Sequence, residues 1–340
     1  MGKFIYGFFL LCSAFVFADP PQPPAEPMPK PHLVTTSQRH WSVARWAGIG
    51  YRYDYQKFKD YSSKDRLNSS LVFRGRDTVQ VLIGFAFNWR EVVLSFRGGY
   101  GWMTQGWTDF NAPGNYGGFP LSFQPFRIGS GYTADAQSAI GYRIPIYGSR
   151  PFAIKLTPTI GYKYNHVMNY PKGEQRSSLP NTEFTLAHFS SPNQQDWFGP
   201  YFEAKIETRF YRHFFVNLLY QYALPSMRSV TSIQEDVYTS PSAGVLNAVQ
   251  LYRQRSVAHG NALRTQLGGI DLSYQDASGW RFGAHFEGSK TWSDTSLLYV
   301  KRSLQQYIQA PVGDSSTFSR NRLEVSWTQY MTYIHAGYRF

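Results

Sequence analysis

The chain has 340 residues, with 34 Lys and Arg against 22 Asp and Glu, and its formal net charge is +12 at pH 7. Aromatic residues make up 18% of the chain, and this content excludes an intrinsically disordered protein. A mean hydropathy of −0.39, with no long apolar run beyond the N-terminus, excludes a helical membrane protein. The 25 Tyr, 26 Phe and 29 Gly instead predict strands that are wet on one face and apolar on the other.

Residues 1–18 have the features of a secretory signal peptide. Lys3 supplies a positive charge, an apolar stretch follows, and the small Ala18 stands at the cleavage position. The only cysteine, Cys12, lies inside this segment, and Leu11 before it disfavours a lipoprotein. The sequence therefore predicts export, cleavage near Ala18 and a mature chain without disulfides.

Residues 19–40 are predicted to form a Pro-rich periplasmic N-terminal segment. Seven prolines between positions 20 and 31 favour an extended, polyproline-like backbone. We interpret this segment as a linker before the first strand. The alternative is a binding peptide for a periplasmic partner.

From Trp41 onward, apolar and polar residues alternate with a period of two, which is typical of β-strands. The first half of this region contains five such segments. Their apolar faces begin at Val43, Val79, Val92, Ile128 and Phe152.

Five further segments follow in the second half. Two of them alternate without interruption from Phe202 and Phe214, and a third does so from Trp280. The segment at 262–275 changes phase at two consecutive glycines, 268 and 269, which predicts a β-bulge. The last segment also changes phase, near Trp327.

The connections alternate in length. Short ones lie near 88–91, 145–151, 211–213 and 276–279, and long ones near 54–77, 103–124, 167–195, 225–260 and 289–321. This pattern predicts an all-β fold, a transmembrane antiparallel β-barrel of about 10 strands over residues 41–340, with five long extracellular loops. A soluble sandwich or lipocalin-like barrel is disfavoured, because inward Lys, Arg and Glu would make a poor dry core.

Tryptophans are placed at two heights along the predicted strands. Trp89 and Trp280 lie at the short turns, whereas Trp102, Trp197 and Trp292 lie toward the long loops. This distribution predicts the two aromatic girdles of a membrane-spanning barrel.

The final strand ends in Tyr338 and Phe340 at alternate positions. This ending resembles the C-terminal signature of bacterial outer-membrane barrels. The resemblance implies a location in the bacterial outer membrane. It also implies that the two aromatic residues form an assembly signal for the barrel-assembly machinery.

The polar faces of the strands carry more positive than negative charge, and we predict that they line the lumen. The predicted lumen-facing set is Arg52, Arg97, Arg127, Asp135, Arg143, Lys155, Lys163, Glu203, Lys205, Glu207, Arg209, Arg281, His285, Glu287, His335 and Arg339. Two interpretations stay open. One is a salt-bridged polar plug, and the other is a narrow pore that favours small anions.

His285 and His335 are predicted to face inward at similar heights on consecutive strands, with Glu287 and Tyr333 nearby. They fit a hydrogen-bonded lumen network. A metal site or an acid–base pair is the alternative function for these two histidines.

The ten strands and long loops are also similar to those of the omptin family, the outer-membrane proteases. After the third strand, Gln105, Trp107 and Asp109 match the family's V-D-Q-D-W-M-D stretch. Thr104 and Gly106 stand where the family has its two catalytic-site aspartates. The resemblance therefore implies an omptin-like barrel without omptin chemistry.

The remainder of the catalytic pattern is also missing. The loop at 225–260 has no Asp-x-His pair, and His259 is distant from the two acidic residues Glu235 and Asp236. The chain contains no phosphate-binding loop, nucleophile elbow or zinc-protease motif. We therefore predict a non-enzymatic protein without cofactor or metal.

The first functional prediction is a porin-like channel for small, preferentially anionic solutes. The alternatives are a surface, adhesion or structural protein that acts through its long loops, and an omptin-like protease. The predicted partners are outer-membrane lipid and lipopolysaccharide, which would meet the basic loops, together with the assembly machinery and small solutes. Nucleic acid is not among them.

Overall fold

The computed structural model describes residues 41–61, 67–116, 119–149, 151–179, 182–190, 192–211, 213–239, 249–260, 263–308 and 310–340. The predicted signal peptide and Pro-rich segment lie outside these residues. The described residues form fourteen strands: β1 (Trp41–Tyr61), β2 (Leu67–Trp89), β3 (Val92–Tyr116), β4 (Phe119–Tyr142), β5 (Ile144–Gly148), β6 (Phe152–Leu179), β7 (Thr182–Ser190), β8 (Asn193–Phe210), β9 (Phe214–Ala223), β10 (Ser226–Thr239), β11 (Val249–Gly260), β12 (Arg264–Gln275), β13 (Trp280–Ile308) and β14 (Ala310–Arg339). None of the described residues forms a helix long and apolar enough to cross a membrane.

Ten strands close into an antiparallel ring, as the alternation predicts. The ring runs β1-β2-β3-β4-β6-β8-β9-β12-β13-β14, and β14 pairs back with β1. The short β5 follows β4 and pairs with β6. The closing pair is unbroken from Ala44 opposite Arg339 to Tyr61 opposite Arg322. Closure leaves no free sheet edge around this ring, because every strand in it has two neighbours.

The segments predicted as long loops are largely strand. β1 and β2 remain paired up to Tyr61 and Leu67, and β13 and β14 remain paired up to Ile308 and Ala310. In this upper part β7, β10 and β11 take the place of β8, β9 and β12 between β6 and β13. Continued pairing satisfies the backbone amides without the help of loop residues.

The two ends of the barrel have opposite polarity. We call the end that carries Trp41, Phe340 and the short turns the lower end. There the outer face is apolar, with exposed Ile49, Phe96 and Ile334 among many others, and the inner face is polar. In the upper part large apolar side chains point inward instead and pack together, beside buried polar ones such as Arg76 and Gln195.

We call the buried apolar side chains of the upper lumen the apolar layer. They are Phe58, Phe73, Met103, Ile128, Val167, Trp197, Met227, Ala258, Leu263, Leu323, Val325 and Trp327. This inversion corrects two sequence predictions. β12 pairs continuously through Gly268 and Gly269, and β14 pairs continuously through Trp327, so neither strand changes phase there. What changes is which face is apolar.

Two further predictions are wrong. A register shift between Ile128 and Ser130 turns Ile128 inward, where it is 2% exposed, and leaves Arg127 exposed on the outer face instead of in the lumen. Trp197 is also 2% exposed and packs in the lumen against Trp327, with ring centroids 4.7 Å apart, so it is not part of a girdle. Trp89, Trp102 and Trp280 are exposed, as girdle residues should be.

Candidate functional site in the lumen

The lower lumen contains a cavity of about 580 Å³, which we call the lower chamber. Eight Arg and Lys side chains line it, against four Asp and Glu. The sequence places these charges here because alternate residues of the lower strands face inward. The lining reaches the turn after β12, where Ser278 and the backbone N–H of Trp280 hold the pKa of Asp276 below its ordinary value.

One carboxylate of the lower chamber is shared by two cations. Lys205 Nζ lies 2.9 Å from Glu207 Oε1, and Arg143 Nε lies 3.5 Å from Glu207 Oε2. Arg143 also donates to Asn88 Oδ1 at 3.0 Å. Glu207 is thus already neutralised by its neighbours.

Lys155 and Arg209 are among the cations of the lower chamber that have no such partner. Lys155 on β6 stands opposite Glu207 in the register, and Arg209 follows two residues later on β8. Neither side chain forms a hydrogen bond or an ion pair with the part of the chain that the structure describes. The chamber therefore has a net cationic character that its own carboxylates do not offset.

The two predicted histidines meet through Asp271. His335 Nε2 lies 2.7 Å from Asp271 Oδ2, and His285 Nδ1 lies 3.9 Å from the same oxygen. Arg281 approaches the other oxygen at 3.3 Å. Sequence reasoning missed Asp271, because the predicted bulge hid its inward position. The uninterrupted outward pair Leu272 and Tyr274 is the signal that could have revealed it.

This cluster continues upward. His285 Nε2 lies 3.1 Å from Glu287 Oε2, and the Tyr333 ring stacks on His285 with centroids 4.6 Å apart. Trp46 also stacks on the Tyr333 ring, with centroids 5.6 Å apart. Within the described residues no group of three or more His, Cys, Asp and Glu is arranged to hold a metal ion. The contacts present are those of a hydrogen-bonded network.

Above the histidines, ion pairs cross the lumen. Arg97 Nη1 lies 3.0 Å from Glu287 Oε2, and Arg52 Nη1 lies 3.1 Å from Asp135 Oδ2. A space of about 10 Å³ lies beside Lys163 at this height, among buried side chains such as Leu82. The lumen thus narrows from a chamber to a nearly filled cross-section.

The apolar layer lies directly above. Trp327 Nε1 donates to Asp54 Oδ1 at 2.9 Å, and Arg52 lies over the Trp327 ring at 5.4 Å from its centroid. Each member of the layer is at most 8% exposed. The layer therefore separates the lower chamber from the upper end in the conformation described.

Of the sixteen predicted lumen residues, all but Arg127 lie on the inner face or at its lower mouth. Those that line the lower chamber are Arg97, Arg143, Lys155, Glu203, Lys205, Glu207, Arg209, Arg281, His285, His335 and Arg339. Asp135, Lys163 and Glu287 line the narrow space above. The residues of the omptin-like stretch do not join them, because Thr104 and Asp109 are on the outer face, where Asp109 pairs with Arg74 at 2.6 Å.

The terminal aromatic residues lie beside the closing strand pair. The Phe340 backbone N–H donates to Val43 O at 2.9 Å, and the Phe340 ring packs edge-on against Tyr338, with centroids 4.8 Å apart. The Arg45 guanidinium lies over the Phe340 ring, 4.7 Å from its centroid. Phe340 is therefore fixed to the first strand.

Comparison with known proteins adds a family. The model of a family described as Pom, Protochlamydia outer membrane protein, matches residues 47–268. No curated protein sequence matches significantly.

Among solved structures, the outer membrane protease OmpT from Escherichia coli is similar, with a TM-score of 0.58 and 10% identity, over 88% of this chain and 97% of that chain. The P. putida toluene transporter TodX has a TM-score of 0.28 and 7% identity, over 87% of this chain and 90% of that chain. The beta domain of the Bordetella autotransporter BrkA has a TM-score of 0.25 and 9% identity, over 86% of this chain and 98% of that chain. The likeness to OmpT supports the omptin-like fold predicted from the sequence and says nothing about chemistry. The other two are too weak to add to it.

Proposed function

The chain belongs to the Pom family of Protochlamydia outer membrane proteins and is an outer-membrane β-barrel, and we propose that it forms a channel for small, preferentially anionic solutes. The observation that carries this proposal is the cation-rich lower chamber with its unpartnered Lys155 and Arg209. Planar-bilayer conductance of the purified protein tests it.

The charge of the lower chamber favours a solute path over a purely stabilising plug. A charge removed from bulk water costs free energy unless it is paired. A plug selected only for stability would therefore pair Lys155 and Arg209 with carboxylates. Instead the chamber keeps excess cations, and cationic linings favour anions over cations.

The apolar layer fits a closed conformation of such a channel. Hydrophobic constrictions exclude water and ions until they widen. Opening would require movement of the bulky Trp197 and Trp327, which pack against each other in this layer. Ten strands enclose a narrow interior, so the solutes would be small.

A second candidate is a surface or structural protein, and the apolar layer is the observation that favours it. A fully packed layer resembles the core of a soluble barrel, and the wall extends well beyond the apolar outer belt. In that case the upper end would act through contacts with lipopolysaccharide or another surface. Binding of lipopolysaccharide that is lost when the upper segments are shortened would support this candidate.

We further propose that the protein is not an omptin-type hydrolase. Gly106 faces inward beside Ile128 and carries no catalytic group. His259 lies on β11, which pairs with β10 and β13, whereas Asp109 lies on β3 between β2 and β4. We expect no cleavage of a dibasic peptide. Cleavage that is abolished by Asp109→Asn or His259→Ala would contradict this proposal.

A further inference from the structure

We propose that the lower chamber holds a binding site for a multiply charged oxyanion, such as a phosphate compound or a dicarboxylate, which enters from the lower end. This inference rests on the proposed anion-preferring channel and names the class of its solute. The site is centred on Lys155 of β6 and Arg209 of β8.

The register places these two cations side by side. Glu207 stands opposite Lys155, and Arg209 is the next inward residue on the same strand as Glu207. Diagonal neighbours of this kind lie roughly 7–8 Å apart, and their Cβ atoms somewhat closer, within reach of long side chains. One oxyanion with two charged ends, or with several oxygens, can therefore contact both side chains.

The carboxylates of the chamber are committed elsewhere or lie farther away. Glu207 accepts from Lys205, Asp271 from Arg281 and His335, and Asp276 from Ser278. None of these contacts involves Lys155 or Arg209, so neither cation has an ion-pair partner among these three carboxylates.

The fourth carboxylate, Glu203, lies two inward positions above Glu207 on β8 and pairs in register with Thr159 and Gln221. Within the described residues it forms no ion pair with either of the two cations. Glu207, the carboxylate at this level, is engaged by Lys205 and Arg143, so a bound anion would supply the ion-pair partner that Lys155 and Arg209 lack.

A third cation extends the site toward the mouth. Arg339 of β14 donates from Nη2 to Ser42 Oγ at 3.1 Å and makes no ion pair in the part of the chain that the structure describes. Guanidinium groups present several N–H donors in one plane and match the oxygens of phosphates and carboxylates. A chamber of about 580 Å³ is within the size range of small-molecule sites.

The test is isothermal titration calorimetry on the refolded full chain in detergent, with pyrophosphate, succinate and chloride as separate titrants. Ionic strength is kept constant, because salt screens such interactions. We expect saturable binding of pyrophosphate or succinate but not of chloride. Tighter pyrophosphate binding assigns the site to phosphate compounds, and tighter succinate binding assigns it to dicarboxylates.

Variants locate the site. Lys155→Met combined with Arg209→Gln should weaken binding at least tenfold. The matched control Arg127→Gln removes an exposed cation of the outer face and should leave binding unchanged. The proposal is overturned if the wild type binds neither oxyanion, or if the double variant binds as tightly as the wild type.

Folding and transport are checked separately. Removing unpartnered cations reduces like-charge repulsion, so the variants should fold, as heat-dependent gel migration will show. Saturable binding without conductance would overturn the channel and leave the oxyanion site in place. Conductance without binding would overturn the site alone.

Discussion

Arg97 of β3 and Glu287 of β13 join across the lumen, with Arg97 Nη1 3.0 Å from Glu287 Oε2. Their strands are four positions apart in a ring of ten, so the pair ties nearly opposite walls together. Glu287 also accepts from His285, and its side chain is 3% exposed. The pair thus separates the lower chamber from the packed lumen above it.

Replacing Arg97 tests how much this ion pair contributes to the free energy of unfolding. Arg97→Met should lower the free energy of unfolding by about 3–5 kcal/mol, because it leaves the Glu287 carboxylate buried with one fewer partner. The measurement is equilibrium unfolding in lipid vesicles, with the exposed Arg127→Met as the control. Adding Glu287→Gln should recover part of the loss. A double variant less stable than the sum of the two single changes would contradict this account.

The polarity inversion predicts where lipid contact ends along one strand. Phe96 and Thr104 both lie on the outer face of β3, Phe96 within the apolar belt and Thr104 beyond Trp102. Phe96→Arg should cost about 2–4 kcal/mol of unfolding free energy, as a cation near the middle of a bilayer does. Thr104→Arg should cost less than about 0.5 kcal/mol, because water surrounds that height. Equal costs at the two positions would refute the boundary.

The terminal aromatic pair predicts an effect on assembly rather than on stability. Phe340→Ala should reduce the fraction of protein assembled in the outer membrane of cells, because the assembly machinery would no longer recognise the chain end. Refolding of the purified variant into vesicles, where no machinery is present, should be nearly unchanged. The control is Arg45→Ala, which removes only the cation over the Phe340 ring. Equal defects in cells and in vesicles would show that Phe340 acts through stability instead.

Much of the barrel wall follows from the sequence. Alternation along the lower strands fixes which residues face lipid and which face the lumen, and the short turns fix the antiparallel neighbours. The family match and the similarity to OmpT confirm the outer-membrane barrel, and the structure has the ten-strand ring. Charged residues such as Lys155 and Arg209 could be placed in the lumen because a lipid face tolerates few charges.

The upper part could not be read in the same way. Alternation reports only that two faces differ, and the apolar face turns inward where the wall leaves the apolar belt. The sequence therefore suggested a phase change near Trp327 and near Leu267. Both residues in fact lie on continuously paired strands, with their side chains buried in the lumen. Gly129 stands inside the bulge between Ile128 and Ser130, but this strand also has glycines within its regular pairing, at Gly131 and Gly141. Gly129 therefore did not mark the irregularity that misplaced Arg127. Pairing between distant strands, which extends the wall through the predicted loops, leaves no local signal.

Single-channel recording in planar bilayers tests the central claim, that this barrel is an anion-preferring channel closed by the apolar layer. The account predicts small, infrequent, anion-preferring currents from the wild type and larger ones from Trp197→Ala. Phe198→Ala, whose side chain is on the outer face next along β8, should behave as the wild type does. Silence from both the wild type and Trp197→Ala, with both proteins folded, or a preference for cations, would contradict the account.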